Sequence, residues 1–207
     1  AWTGRAELTL RPGRSVAVEP LRLTRGSERV EVRGLYRFAG PDDIDVDLER
    51  VDLAPLQAVA PDALAGLGGR LDAQLRLGGD IDRRPRGELG ARLTDGAFRG
   101  IDDIEGRVRL ALGDGALETD LALRLGELGA IDVQGPVGIP AGALRRPERL
   151  ASAAALDGLR VEARSLDLRL LGMLGLAEEL PLTGRVSTDV ELGGRPAAPE
   201  LRDAAIV

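Results

Sequence analysis

From residue 43 onward the chain alternates apolar and polar positions with few interruptions. Ile44, Val46 and Leu48 are set between Asp43, Asp45, Asp47 and Glu49, and Leu71, Ala73, Leu75 and Leu77 between Arg70, Asp72, Gln74 and Arg76. The same beat runs through Val108, Leu110 and Leu112, then Leu117, Leu121, Leu123 and Leu125, then Ile131, Val133, Val137 and Ile139. It resumes at Leu159, Val161 and Ala163 and again at Val186, Thr188, Val190 and Leu192. A period of two predicts β-strands with one dry and one wet face. Turn dipeptides punctuate the runs at Gly78-Gly79, Asp95-Gly96, Asp114-Gly115, Asp157-Gly158 and Gly193-Gly194. Short hairpins there would join antiparallel neighbours into a long meander.

A 29-residue block occurs twice without a gap, at 51–79 and again 115 residues later at 166–194, with nine identical positions. Most of the identities are punctuation: Asp52/Asp167, Leu53/Leu168, Gly69-Arg70/Gly184-Arg185 and Leu77-Gly78-Gly79/Leu192-Gly193-Gly194. Leu71, Leu75 and Leu77 fall on Val186, Val190 and Leu192, so the same face is dry in both copies. The expected organisation is a stacked repeat, one unit over about 44–158 and the next beginning at 159–207. Two stretches break the alternation at equivalent places. Pro55–Ala65 and Arg169–Leu180 carry apolar residues at helical spacing and predict two short helices against or beside the sheet.

Composition narrows the chemistry. The 207 residues contain no Cys, His or Lys, so all 28 basic residues are Arg. That excludes Cys/His zinc sites, Ser-His-Asp triads, Cys nucleophiles, Schiff bases and P-loop lysines. Asp43, Asp45 and Asp47 have the spacing of a calcium loop, but Leu48 stands where the loop needs glycine, and they read as a wet strand face. Arg83, Arg84 and Arg86 around Pro85 read as a solvated turn, and Asp102, Asp103 and Glu105 as another. Gly66-Leu67-Gly68-Gly69 lacks dinucleotide-binding spacing. No cofactor, metal or catalytic residue is expected. The net charge of −6 and the four aromatics, Trp2, Tyr36, Phe38 and Phe98, make a poor nucleic-acid binder and cannot girdle a membrane barrel. Residues 1–37 are the exception in charge, with eight arginines against four acids. No apolar run approaches the roughly 20 residues of a membrane helix. The chain reads as an internal piece of a longer protein.

The aliphatic face must be covered by something. A second sheet would close it, giving a structural or adhesive β-solenoid. A sheet curled into a trough would leave it open and suited to hydrocarbon, which binds by area and not through polar anchors.

Gly69-Arg70-Leu71, Leu75-Arg76-Leu77-Gly78-Gly79, Pro85-Arg86-Gly87-Glu88-Leu89 and Leu93-Thr94-Asp95-Gly96 resemble, in that order, the recurring unit of TamB and AsmA-like proteins. Gly184-Arg185-Val186, Leu192-Gly193-Gly194 and Pro199 look like the next copy, and Val51–Leu56 is similar to the family's lead-in helix. The resemblance covers residues 44–207 and is loose before that. It implies an all-β, elongated, mostly antiparallel repeat sheet curled into a β-taco-like apolar groove, carrying phospholipids across the periplasm of a diderm bacterium. The groove would be lined by Ile44, Val46, Leu48, Leu71, Leu75, Leu77, Leu89, Leu93, Val108, Leu110, Leu112, Leu121, Leu123, Leu125, Val133, Val161, Val186, Val190 and Leu192. Its implied partners are phospholipid acyl chains and flanking repeats of the same chain. An inner-membrane anchor and an Omp85-type outer-membrane partner are implied too, both engaged through segments outside this sequence.

Overall fold

The computed structural model describes residues 1–11, 15–37, 42–58, 64, 66–80, 84–140, 154–170, 183–196 and 198–206. Among the described residues twelve strands form one sheet in sequence order, each antiparallel to the next: β1 (Thr3–Arg11), β2 (Ser15–Arg25), β3 (Glu28–Arg37), β4 (Asp42–Asp52), β5 (Gly68–Asp80), β6 (Arg84–Phe98), β7 (Ile101–Gly113), β8 (Ala116–Leu125), β9 (Ala130–Gly138), β10 (Ala155–Asp167), β11 (Arg185–Arg195) and β12 (Ala198–Ile206). The expected meander is present. It includes β1, β2 and β3, in the stretch where the alternation was not read.

Of the five expected turns, Asp114-Gly115 is one. It joins β7 to β8 with both residues at positive φ, 49° and 80°, the backbone that a two-residue hairpin needs to match strand twist. Arg99-Gly100 makes an equivalent turn between β6 and β7, at φ 49° and 80°. The other four glycine dipeptides lie inside strands. Asp95-Gly96 and Asp157-Gly158 mark β-bulges in β6 and β10, where the register shifts. An extra residue in the left-handed region bends the strand without ending it, so the same residue types that close a hairpin here prolong a strand. Asp103, expected in a turn, is likewise a left-handed residue within β7 at φ 54°.

The expected helices lie largely outside the described residues. After β4 the chain makes only a 3-10 helix over Ala54–Ala58, with residues 59–63 and 65 outside the described set. In the second copy Arg169 and Leu170 begin a helical turn, and 171–182 lie outside the described residues. A further 3-10 turn, Gly126–Leu128, connects β8 to β9.

The repeat is structural as well as textual. Leu53 N–H donates to the Gly69 carbonyl and Leu168 N–H to the Gly184 carbonyl, both at 3.0 Å. Asp52 accepts from the Ala54 N–H at 3.0 Å, and Asp167 from the Arg169 N–H at 2.9 Å. Each carboxylate thus caps the turn leaving its strand. Just upstream, Arg50 and Ser165 are left-handed bulge residues, at φ 50° and 49°. Their N–H groups donate to Asp72 Oδ1 and Ser187 Oγ, each at 2.9 Å. The structural repeat therefore begins before the sequence block, and two different side chains at 72 and 187 do one job.

Leu156 and Ala154, at the start of β10, are buried at one end of the strands, but the buried cluster lies at the opposite end. Ile101, Ile104, Leu125 and Leu170 form it, with Leu93, Phe98, Leu123, Leu128, Ile131 and Leu166 packed around it. That end carries the bulges at Arg50, Asp95, Asp103 and Ser165. Among the described residues no large side chain is fully buried.

Candidate functional site

Direct cross-strand partners share a face, so the ladder register sorts the side chains into rows. One row runs Ile44–Leu77–Gly87–Leu112–Leu117–Val137–Leu156. A second runs Val32–Val46–Leu75–Leu89–Leu110–Thr119, and beyond Thr119 and Gly135 on the same face come Leu159, Leu192 and Leu201. A third runs Val30–Leu48–Ala73–Ala91–Val108–Leu121–Val133–Val161–Val190. The fourth is Val51–Leu71–Leu93–Gly106–Leu123–Ile131–Ala163–Thr188. Beside it Leu125 pairs with Ile104, and Val186 with Leu166. All nineteen residues expected to line a groove stand on this one face.

The bulges keep them there. Leu48 and Val51 are three apart, which in an unbroken strand would put them on opposite faces. The bulge at Arg50 absorbs the extra residue, and Leu48 and Val51 face Ala73 and Leu71, two positions apart on β5. The bulge at Ser165 does the same for Ala163 and Leu166.

Eighteen of the nineteen are half-buried, and only Leu125 is buried, at 7% exposure. Glycines probe how crowded each side of the sheet is. A Cβ at Gly87, on the apolar face of β6, would lie 3.0 Å from a Leu77 methyl, and one at Gly96 2.9 Å from Ile104 Cβ. On the opposite face of the same strand a Cβ at Gly90 would meet nothing within 4 Å, and Gly113 on β7 is as open.

The polar face is a lattice of arginines and carboxylates. Asp45 takes Arg33 at 3.2 Å and Arg76 at 3.7 Å, which places the Asp43–Asp47 run on the wet face. Arg160 holds Asp189 below the usual carboxylate range by hydrogen bonding, and Asp189 raises Arg160 in return. Two carboxylates are pulled furthest. Arg25, helped by the Asp52 N–H, brings Glu28 down to about 2; the Arg169 side chain and N–H bring Asp167 down to about 2. Both sit at the bulged end, where the chain leaves β4 and β10. Depressions of about 630 and 380 Å³ open on this face between long side chains that stand around small ones, Gly90 and Ala111 in the first and Ala122 and Ala130 in the second. Among the described residues no three His, Cys, Asp or Glu side chains are placed to hold a metal ion. No described helix is long and apolar enough to cross a membrane.

Arg84 and Arg86, expected in a turn, belong to β6, while Arg83 lies outside the described residues. The apolar-face residues missed by the sequence reading are concentrated in β1–β3, including Leu8, Val18, Leu21, Val30 and Val32. Their signal was Val30-x-Val32 within β3. In β2 a bulge between Val18 and Leu21, beside Pro20, hides the period.

The fold defines an all-β protein built as a single antiparallel sheet with one aliphatic and one charged face. No family model, curated protein or solved structure matches the chain.

Proposed function

We propose that the chain is a non-catalytic segment of a lipid conduit, in which phospholipid acyl chains lie along the aliphatic rows while headgroups stay at the open edge. The observation that carries this reading is the partial exposure of most aliphatic side chains in the four rows, Leu156 and Ala163 being the buried exceptions. A closed core would shut such residues away from water, as it does Leu125. The rows bind by area, about 25 cal/mol for each Å² of hydrocarbon removed from water. They contain no charged side chain to repel an acyl chain or fix its position, which suits lateral movement along the surface.

The repeat supports continuity, because bulge, cap and closing hydrogen bond recur at the same offset. Periplasmic placement in a diderm bacterium, flanking repeats and an outer-membrane partner follow from the resemblance to TamB and AsmA-like proteins and belong to the same proposal.

Native mass spectrometry of the protein purified from its own cells tests the reading. Co-purifying phospholipid is the expected result. A lipid-free protein whose aliphatic face proves dry and closed overturns it.

A further inference from the structure

The acyl-chain reading leaves one arrangement on the opposite face unused. Arg92 on β6 and Arg107 on β7 are direct cross-strand partners. Side chains so placed leave the ladder about 5 Å apart, and like charges there work against the sheet. Several arginines on this face are matched, Arg33 and Arg76 to Asp45, Arg160 to Asp189, Arg164 to Asp132 and Glu162. Arg86 and Arg109 are not matched within the described residues, but neither stands directly opposite another arginine. Among the described residues Arg92 and Arg107 have no ion-pair or hydrogen-bond partner, and both are exposed.

The two border the depression of about 380 Å³, together with Arg124, Arg164 and Thr94. Its carboxylates are already engaged, Glu105 facing Arg124 at 4.0 Å and Asp132 bound by Arg164 at 2.5 Å. Asp72, opposite Arg92 on β5, accepts the Arg50 N–H at 2.9 Å and makes no ion pair with Arg92, so the four arginines of the depression outnumber the two carboxylates that line it. Ala122, opposite Arg107 on β8, keeps the floor low enough for a group to sit between the forks.

We propose that this depression is an anion site for a phosphate ester, with Arg92 and Arg107 supplying two guanidinium forks. Guanidinium groups pair bidentately with phosphate and with carboxylate. Two adjacent forks need more oxygens than the two of a carboxylate, and a phosphate ester has them. Thr94 adds a hydroxyl at the rim. The site is on the charged face, so it stands or falls apart from acyl-chain binding on the other.

The phosphate could belong to a lipid headgroup or to a soluble ester, and two probes separate these. Inorganic phosphate is titrated while the arginine side-chain Nε–H resonances are followed, and flotation is measured with phosphatidic acid vesicles. Phosphate should move the Arg92 and Arg107 signals, more tightly than acetate does, and less so as salt screens exposed charge. Arg92→Gln with Arg107→Gln should weaken this by at least about tenfold, the loss of charge-assisted hydrogen bonds; Arg86→Gln, on the same face, should not. Vesicle flotation that depends on the two arginines assigns a headgroup; phosphate binding without flotation assigns a soluble ester. Equal binding by the double variant, acetate binding as tight as phosphate, or no response to either probe overturns the site.

Discussion

Two regions of the same sheet, built from the same aliphatic residues, differ in what covers them. At the bulged end Leu125 sits in a closed cluster with Ile101, Ile104 and Leu170. Four residues back along β8, Leu121 faces Val108 and Val133 and stays half-buried. Leu170 arrives from the turn after β10 and Leu128 from the 3-10 turn after β8, and among the described residues no connection packs over the middle of the sheet in the same way. Hydrophobic residues alone do not make a core; a second layer must reach them. The buried cluster thus forms where the connections fold over, while most of the wide aliphatic middle stays only partly buried.

The sharpest way to break this comparison is truncation. Leu125→Ala should cost about 2–5 kcal/mol, as for buried leucines that leave a cavity. Leu89→Ala, on a half-exposed row, should cost only about 1 kcal/mol, roughly half of full burial. Denaturant midpoints measure both, and equal losses would mean that the middle is as closed as the end. Charge sharpens the contrast. Leu75→Asp and Val190→Asp should keep the fold by circular dichroism while losing bound lipid, whereas Ile104→Asp should unfold, because an unpaired buried charge is very costly.

The repeat makes a smaller prediction. Asp72→Ala and Ser187→Ala each remove the side-chain acceptor of a bulge N–H and should each cost about 0.5–1.5 kcal/mol. Similar losses at the two sites would bear out their equivalence; a loss at one alone would break it. The smallest effect is in acid. Glu28 and Asp167 have folded values near 2, below their ordinary 4.5 and 3.8. Their contribution is therefore complete above those ordinary values and is lost as pH falls towards 2. Arg25, the partner of Glu28, lies 5.0 Å from the centroid of the Trp2 ring. Trp2 fluorescence should accordingly change with a midpoint near pH 2, and Glu28→Gln should abolish that step.

Strand type and facing were legible because period two survives every substitution that keeps apolar and polar apart. Ile44 through Leu192 could be placed on one face before any geometry was known. Bulges were not legible: Asp95-Gly96 and Asp157-Gly158 have the composition of turns, and only pairing on both sides tells a bent strand from a reversed one. The same blindness hid β2, where the bulge near Pro20 breaks the period. Of the two expected helices, the described part of the first is a 3-10 helix over Ala54–Ala58, because apolar spacing alone does not separate a 3-10 from an α-helical turn. The pairing of Asp72 with Ser187 was beyond identity matching, since what repeats is an acceptor and not a residue. The Arg92–Arg107 pair depended on register, which fixes which two arginines of many stand side by side.

If the conduit reading holds, acyl chains lie against the aliphatic rows and not against the charged face. Adjacent residues on β6 test it: a photo-crosslinking benzophenone side chain is introduced at Leu89, on the aliphatic face, and separately at Glu88, on the charged face. After irradiation in intact cells, phospholipid adducts at Leu89 and few or none at Glu88 are the predicted result. Adducts in equal yield at both positions, or protein-only crosslinks at Leu89, would contradict it.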